Sequence, residues 1–238
     1  MPTAAPASLR TVAAQVEARL SEFLDAELDR WSAVDADLRE PFAESHRLVL
    51  TGGKRLRPAF CLWGFVGLGG DADDPRIVDA GAAFELMHAF ALFHDDVMDD
   101  AGSRRGQTTS HTVYAARHAE HGWAGEGRRF GEGMAILIGD LAFVYSDMLL
   151  GEAGPAAWRI WNELRLELNA GQVLDVLGSV RGVRDVAQAE RIARYKSGKY
   201  TIERPLHVGA ALAVVVAAYF GTLWLCGFRP SDFTRRAR

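Results

Sequence analysis

Leu9, Val12, Val16, Leu20, Phe23, Leu24, Leu28 and Trp31 fall three and four residues apart. That spacing gathers them on one stripe of an α-helix and scatters them over both faces of a strand. Ser8, just ahead of the stripe, is the expected N-cap. The signature recurs along the chain. One helix is expected to start near Pro41 and another after Pro58. Asp74-Pro75 reads as an N-cap and N1 pair opening a third. Segments near 131–152, 156–180 and 185–199 also carry the helical pattern, whereas glycine-rich Gly122 to Gly133 reads as a loop. No run alternates convincingly with period two, and neither a repeat nor a long linker interrupts the series. A single all-α domain over residues 1–238 is therefore expected.

Apolar residues make up 49% of the chain, enough for a substantial core, and the net charge of −4 gives no general pull toward nucleic acid. Cys61 and Cys226 lie far apart with no short metal-binding spacing, which fits a reduced, cytoplasmic protein. The N-terminal MPTAAPASLR lacks the apolar core of a signal peptide.

The segment FHDDVMDDAGSRRG, from Phe93 to Gly106, breaks the rules of the helix that leads into it. Phe84, Met87, Ala91 and Met98 mark that helix, and Ala101-Gly102 is its expected stop. Asp95, Asp96, Asp99 and Asp100 then crowd the negative end of the macrodipole, where acids are disfavoured and repel one another. Asp95 and Asp99 are i,i+4 neighbours and Asp96 and Asp99 are i,i+3 neighbours, so three carboxylates share a face. A hard divalent cation relieves both penalties. Mg²⁺ takes oxygen ligands and is often held by one or two carboxylates together with substrate phosphates. Arg104 and Arg105 follow at once, with planar donors suited to phosphate oxygens. Carboxylates, a metal and two arginines make a diphosphate site; the competing reading is a solvated acidic helix end beside a basic turn. A calcium EF-hand fails on spacing: counted from Asp96, Met98 falls at a ligand position and Gly102 comes one place late.

Gly52-Gly53-Lys54-Arg55-Leu56-Arg57-Pro58 is a second signal. Its glycines let backbone approach a ligand, and three cations in four positions suit a polyanion, although an ordinary basic turn has the same composition. His88 sits two turns before Asp95 on nearly the same face, placed either to donate to a phosphate or to be satisfied in the core. Gln172 and Asp175 are i,i+3 on an apolar helix; they either cap structure or face a polar cavity, and spacing does not decide. Tyr195-Lys196-Ser197-Gly198-Lys199-Tyr200 adds two cations near a glycine, which is also how a solvated helix end reads.

Together these segments resemble the trans-isoprenyl diphosphate synthases, the polyprenyl synthetase family. The matching pieces are GGKRLRP at 52–58, ELMHAFALFHDDVMDDAGSRRG at 85–106, GDLAF at 139–143, GQVLD at 171–175 and KSGKYTIERPLHVGAAL at 196–212. Their order and spacing cover roughly residues 45–212. The resemblance implies an antiparallel helix bundle around a central cavity, lined here by the 81–101 and 156–180 helices. It also implies Mg²⁺-dependent joining of an allylic diphosphate to isopentenyl diphosphate. By position, Asp95, Asp96 and Asp99 correspond to the metal-holding motif, and Arg104 to the arginine on the allylic diphosphate. Lys54, Arg57, His88 and Arg105 correspond to the isopentenyl diphosphate site. Gln172, Asp175, Lys196 and Ser197 correspond to the allylic side, with Lys196 in the catalytic set. Ala91 and Phe90, four and five places before the first aspartate, correspond to the cavity floor that sets product length. The resemblance implies short products, about fifteen to twenty carbons with twenty slightly favoured; the physical part of that expectation is the bulky Phe90 ring, which can stop a growing chain. A homodimer is implied for an intact member.

The resemblance fails after residue 213. Family members carry a second aspartate-rich motif on a later helix, but the only acids after Lys199 here are Glu203 and Asp232. In its place Val208 to Phe228 runs without a charge and is followed by Arg229, Arg235, Arg236 and Arg238. Length and basic flanks suit a membrane span. A buried bundle helix with an altered tail is the preferred reading, because Gly209 and Ala210 continue the family motif. Residues 214–238 are atypical for the family, as a truncated or frameshifted product would be, so catalytic activity is in doubt. A catalytically inactive diphosphate-binding homologue is the alternative.

Overall fold

The computed structural model describes residues 7–182 and 185–225, and these are helical almost throughout. Among the described residues nine α-helices follow in order: α1 Ala7–Val34, α2 Arg39–Leu50, α3 Leu56–Val66, α4 Pro75–Met98, α5 Ser110–Glu120, α6 Gly127–Leu150, α7 Gly154–Arg181, α8 Val186–Ile192 and α9 Arg204–Leu225. A π-helical stretch, Ala193–Glu203, joins α8 to α9. A minimal hairpin, β1 Ser103–Arg104 and β2 Gln107–Thr108, follows α4. The all-α expectation holds.

The apolar stripe of α1 does what its spacing requires: Val12, Val16, Leu20 and Leu24 are buried. Ser8 lies inside α1, not at its cap. Helix α4 occupies the middle, with Ala82, Ala83, Phe84, Leu86 and Met87 fully buried, and packs on α1, α3 and α6. Asp74 caps it by accepting from the Arg76 amide at 2.9 Å, with Pro75 behind. On α7, the Trp161 ring meets Phe84 edge to face at 5.0 Å while its indole N–H donates to Asp147 at 2.8 Å.

Two local expectations change. Residues 127–133 belong to α6 rather than to a loop. A Cβ on Gly131 would stand 2.2 Å from the His111 carbonyl oxygen, so this glycine serves the close crossing of α5 and α6 instead of chain flexibility. Helix α4 stops at Met98, before the expected Ala101-Gly102. Asp100 takes the left-handed conformation with φ 51°. The amides of Ala101 and Asp100 donate back to the carbonyls of Asp96 and Val97, a Schellman ending. Asp tolerates that conformation better than most residues, so the fourth aspartate terminates the helix.

The described start of the apolar run is committed to the bundle: Val208, Leu212 and Ala213 are buried, and α9 packs along α3. The basic flank from Arg229 to Arg238 lies outside the described residues. Among the described residues, α4 and α6 are long and apolar enough to cross a membrane. Length alone does not separate a span from a core helix, and these two pack on each other.

Candidate active site

The end of α4 meets three other segments. Asp96 is buried, Asp95 half-buried and Asp99 exposed. The hairpin folds Arg104 back over the first two: its Nε donates to Asp96 Oδ1 at 2.5 Å, and a terminal nitrogen donates to Asp95 Oδ2 at 3.2 Å. Helix α7 brings Gln172, whose side-chain N–H donates to Asp95 Oδ1 at 2.9 Å. The π-helical stretch brings Lys196, whose ammonium bridges Asp95 Oδ1 at 3.0 Å and Asp175 Oδ2 at 2.6 Å. Gly171 makes that approach feasible, since a Cβ there would lie 2.9 Å from the Lys196 amide nitrogen. Gln172 and Asp175 thus face a polar cluster, which resolves the ambiguity their spacing leaves.

Environment tunes these groups. Burial pushes the Asp96 carboxyl up, against the opposing pull of Arg104. Burial and then the Asp95 charge push Asp99 up. Burial pulls the Lys196 ammonium down, but Asp175 and Asp95 outweigh it and hold it above its ordinary value. The acids and the Gln172 amide offer only hard oxygen donors, the chemistry that suits Mg²⁺. Yet no group of three acids or imidazoles converges for a metal among the described residues. Arg104 and Lys196 stand between the carboxylates.

A cavity of about 600 Å³ opens beside this cluster, lined by Gly52, Gly53, Lys54, Arg57, His88 and Arg105. Arg105 and Gly106 form the hairpin turn with positive φ at both residues, the pattern of a type I′ turn. The turn carries the Arg105 guanidinium to the Gly52 carbonyl, 3.1 Å away. Lys54 is exposed at the lip. The Arg57 guanidinium lies 4.3 Å from the centre of the Tyr200 ring and donates to Thr201 Oγ1 at 3.2 Å. Arg57 Nε, His88 Nδ1 and Tyr200 Oη are buried without a partner. Burial and the surrounding arginines, Arg57 first, hold the His88 imidazole well below its ordinary pKa and neutral.

Arg55 departs from the sequence reading. Instead of joining Lys54 and Arg57 as a third polyanion ligand, it points inward from a left-handed backbone, φ 47°. There it donates to Glu85 at 2.5 Å, Glu17 at 3.1 Å and the Val49 carbonyl at 3.0 Å. Lys199 also turns away, pairing with Glu167 beside Arg204.

A second cavity, about 220 Å³, adjoins the first. Asp95, Gln172, Lys196 and Ser197 line its polar end, and Phe90, Ala91, Met98 and Leu168 its apolar part. The Phe90 ring packs on His94 and Phe143, with centroids 4.7 and 4.8 Å away. Arg57, His88 and Leu92 line both cavities. Sequence reading gives Tyr200 no role; its only signal is its place four residues after Lys196.

Two basic-walled cavities share one partition, and an acid cluster stands at one of them. The sequence model of the polyprenyl synthetase family matches residues 40–223, so the likeness runs ten residues past residue 213, where it was expected to fail. The chain belongs to the polyprenyl synthetase family. It is 29% identical to the nonaprenyl diphosphate synthase of Mycobacterium tuberculosis over 76% of this chain and 47% of the relative. It is 32% identical to geranylgeranyl pyrophosphate synthase 3, chloroplastic, of Arabidopsis thaliana over 86% of this chain and 52% of the relative. The chain therefore spans about half the length of these curated relatives. Its fold matches geranylgeranyl pyrophosphate synthase from Corynebacterium glutamicum, solved with isoprenyl diphosphate and magnesium. The TM-score is 0.78 and the identity 34%, over 83% of this chain and 58% of that one.

Proposed function

We propose that this chain carries the two diphosphate sites of an Mg²⁺-dependent isoprenyl diphosphate synthase. An allylic diphosphate sits at the acidic end of α4, and isopentenyl diphosphate in the neighbouring basic cavity. The observation that carries the reading is the shared partition: one site lies at Asp95 and Lys196, the other at Lys54 and Arg105, with Arg57 and His88 between them. Mg²⁺, when bound by Asp95, Asp96 and Asp99, neutralises charge on the leaving diphosphate. Arg104 and Lys196 aim positive charge at the same oxygens, where charge builds as the bond to the allylic carbon breaks. Gln172, Asp175 and Ser197 orient that end of the substrate. Phe90, Ala91, Met98 and Leu168 hold the hydrocarbon and keep water from an electron-poor carbon. Neutral His88, with Lys54, Arg57 and Arg105, positions the second diphosphate.

Calorimetry with an allylic diphosphate tests the first site. Affinity should rise with Mg²⁺ in the parent chain, and Asp95→Ala should lose that response because a carboxylate ligand is gone. Equal affinity with and without the metal, or an unchanged response in the variant, would refute it.

A binding protein with little turnover is the second reading, and a specific observation favours it. Within residues 200–238 the only acids are Glu203 and Asp232, so these 238 residues by themselves would clamp the leaving group from one side. The purified 238-residue chain should accordingly form product very slowly. Robust product formation by the chain alone would overturn this second reading and leave the binding sites intact.

A further inference from the structure

The charges around Asp95 are already satisfied by the chain itself. Oδ1 accepts from both Gln172 and Lys196, and Oδ2 from Arg104. Arg104 also occupies Asp96 Oδ1, and Lys196 also occupies Asp175 Oδ2. Two cations thus stand among four carboxylates, Asp95, Asp96, Asp99 and Asp175. The Lys196 ammonium lies between acids from two different helices, Asp95 of α4 and Asp175 of α7. It is also partly shielded, with 27% of its side chain exposed against 17% for Asp95, so salt screens the contact less than a surface pair.

We propose that Lys196 is an internal stand-in for the metal: it closes the acidic site until a diphosphate arrives, so metal enters with the anion and not before it. This rests on the diphosphate-site reading above. An ammonium and a divalent ion repel strongly at contact distance in a partly desolvated site, so they exclude each other from Asp95. A diphosphate changes the balance. Its oxygens give Lys196 and Arg104 new acceptors and give the metal additional ligands, and both exchanges release Asp95 at once.

The backbone around Lys196 makes the exchange a side-chain movement. Downstream, Lys199 and Arg204 are both held by Glu167. Alongside, the Lys196 backbone rests on Gly171. What remains free is the four-carbon stem, whose three donors reorient easily from carboxylate to phosphate. Arginine at this position would retain the charge; a neutral side chain of similar length would not.

The test is Mn²⁺ binding to the full chain, followed by electron paramagnetic resonance of free Mn²⁺, with and without inorganic pyrophosphate. The parent chain should bind Mn²⁺ at least tenfold more tightly with pyrophosphate than without. Lys196→Met should bind Mn²⁺ without pyrophosphate at least tenfold more tightly than the parent. Lys196→Gln, which keeps a donor but no charge, should behave like Lys196→Met, and Lys196→Arg like the parent. Circular dichroism checks that each variant is folded, and either neutral variant suffices for the comparison. Equal Mn²⁺ affinity of parent and neutral variants in the absence of pyrophosphate overturns the proposal while leaving the diphosphate site standing. If no protein binds Mn²⁺ even with pyrophosphate, the diphosphate site itself fails and this inference with it.

Discussion

Arg55→Met would separate the structural cation of the GGKRLRP loop from its ligand-facing neighbours. Arg55 and Glu85 are 3% and 5% exposed at their side chains, and their contact is 2.5 Å. Methionine keeps the length of the side chain but leaves Glu85 charged, buried and unpaired. Removing one partner of a buried pair costs about 3–5 kcal/mol, a large part of the stability of a typical domain. Glu17 adds little to that loss, because it is 46% exposed and regains water. The assay is urea unfolding of the parent, Arg55→Met, Glu85→Met and the double variant. Each single variant should lose about 3–5 kcal/mol, and the double should lose less than the worse single, since no buried charge is stranded. Lys54→Met, at the exposed lip, should stay within about 0.5 kcal/mol of the parent. A loss under about 1 kcal/mol for Arg55→Met, or a double-variant loss equal to the sum of the singles, would refute a load shared by this pair.

Phe90→Ala, in a form of the protein that turns over, should lengthen the products beyond about twenty carbons by removing a ring from the cavity wall. Chromatography showing an unchanged product distribution would remove Phe90 from the floor. Glu167→Gln should weaken the tie between α7 and the start of α9. Hydrogen bonding from Arg204, opposed by burial and helped by Lys199, holds the Glu167 carboxyl below its ordinary range. A lowered folded-state pKa stabilises the protein above the unfolded value, about 4.3, and the gain is lost as pH falls through the folded value. The parent should therefore exceed Glu167→Gln by about 1.5–3 kcal/mol near neutral pH, and the two curves should converge in acid. Parallel stability curves across that range would contradict the assignment.

The sequence reveals those parts of the fold that depend on local rules. Asp74-Pro75 opens α4 because capping and a fixed φ act within a few residues. The apolar stripe of α1 is legible because every turn repeats the same demand. Gly131 misleads for the opposite reason: its lack of a side chain answers a neighbouring helix, and composition cannot distinguish that from a loop. The candidate site is legible as a set, since Asp95, Gln172, Asp175 and Lys196 do meet. Their internal pairing is not legible, because opposite charges far apart in sequence carry no mark of which will touch. Arg55 shows the same limit within one motif, where three cations in four positions look alike and one is turned into the core by a left-handed backbone.

The wide-turned stretch Ala193–Glu203 makes residue count as important as residue identity. Its hydrogen bonds reach five residues back, so it holds more chain per turn than an α-helix. Deleting Gly198 would favour the tighter spacing and rotate one side against the other by about 100°. Lys196 and Arg204 could then no longer both meet their acids, although every charged residue remained. The aim of Lys196 is thus set by a gap in the chain's own count, and a single-codon deletion at Gly198, where an added Cβ would meet only the Ala193 carbonyl oxygen at 3.8 Å, would disarm the site more completely than many substitutions.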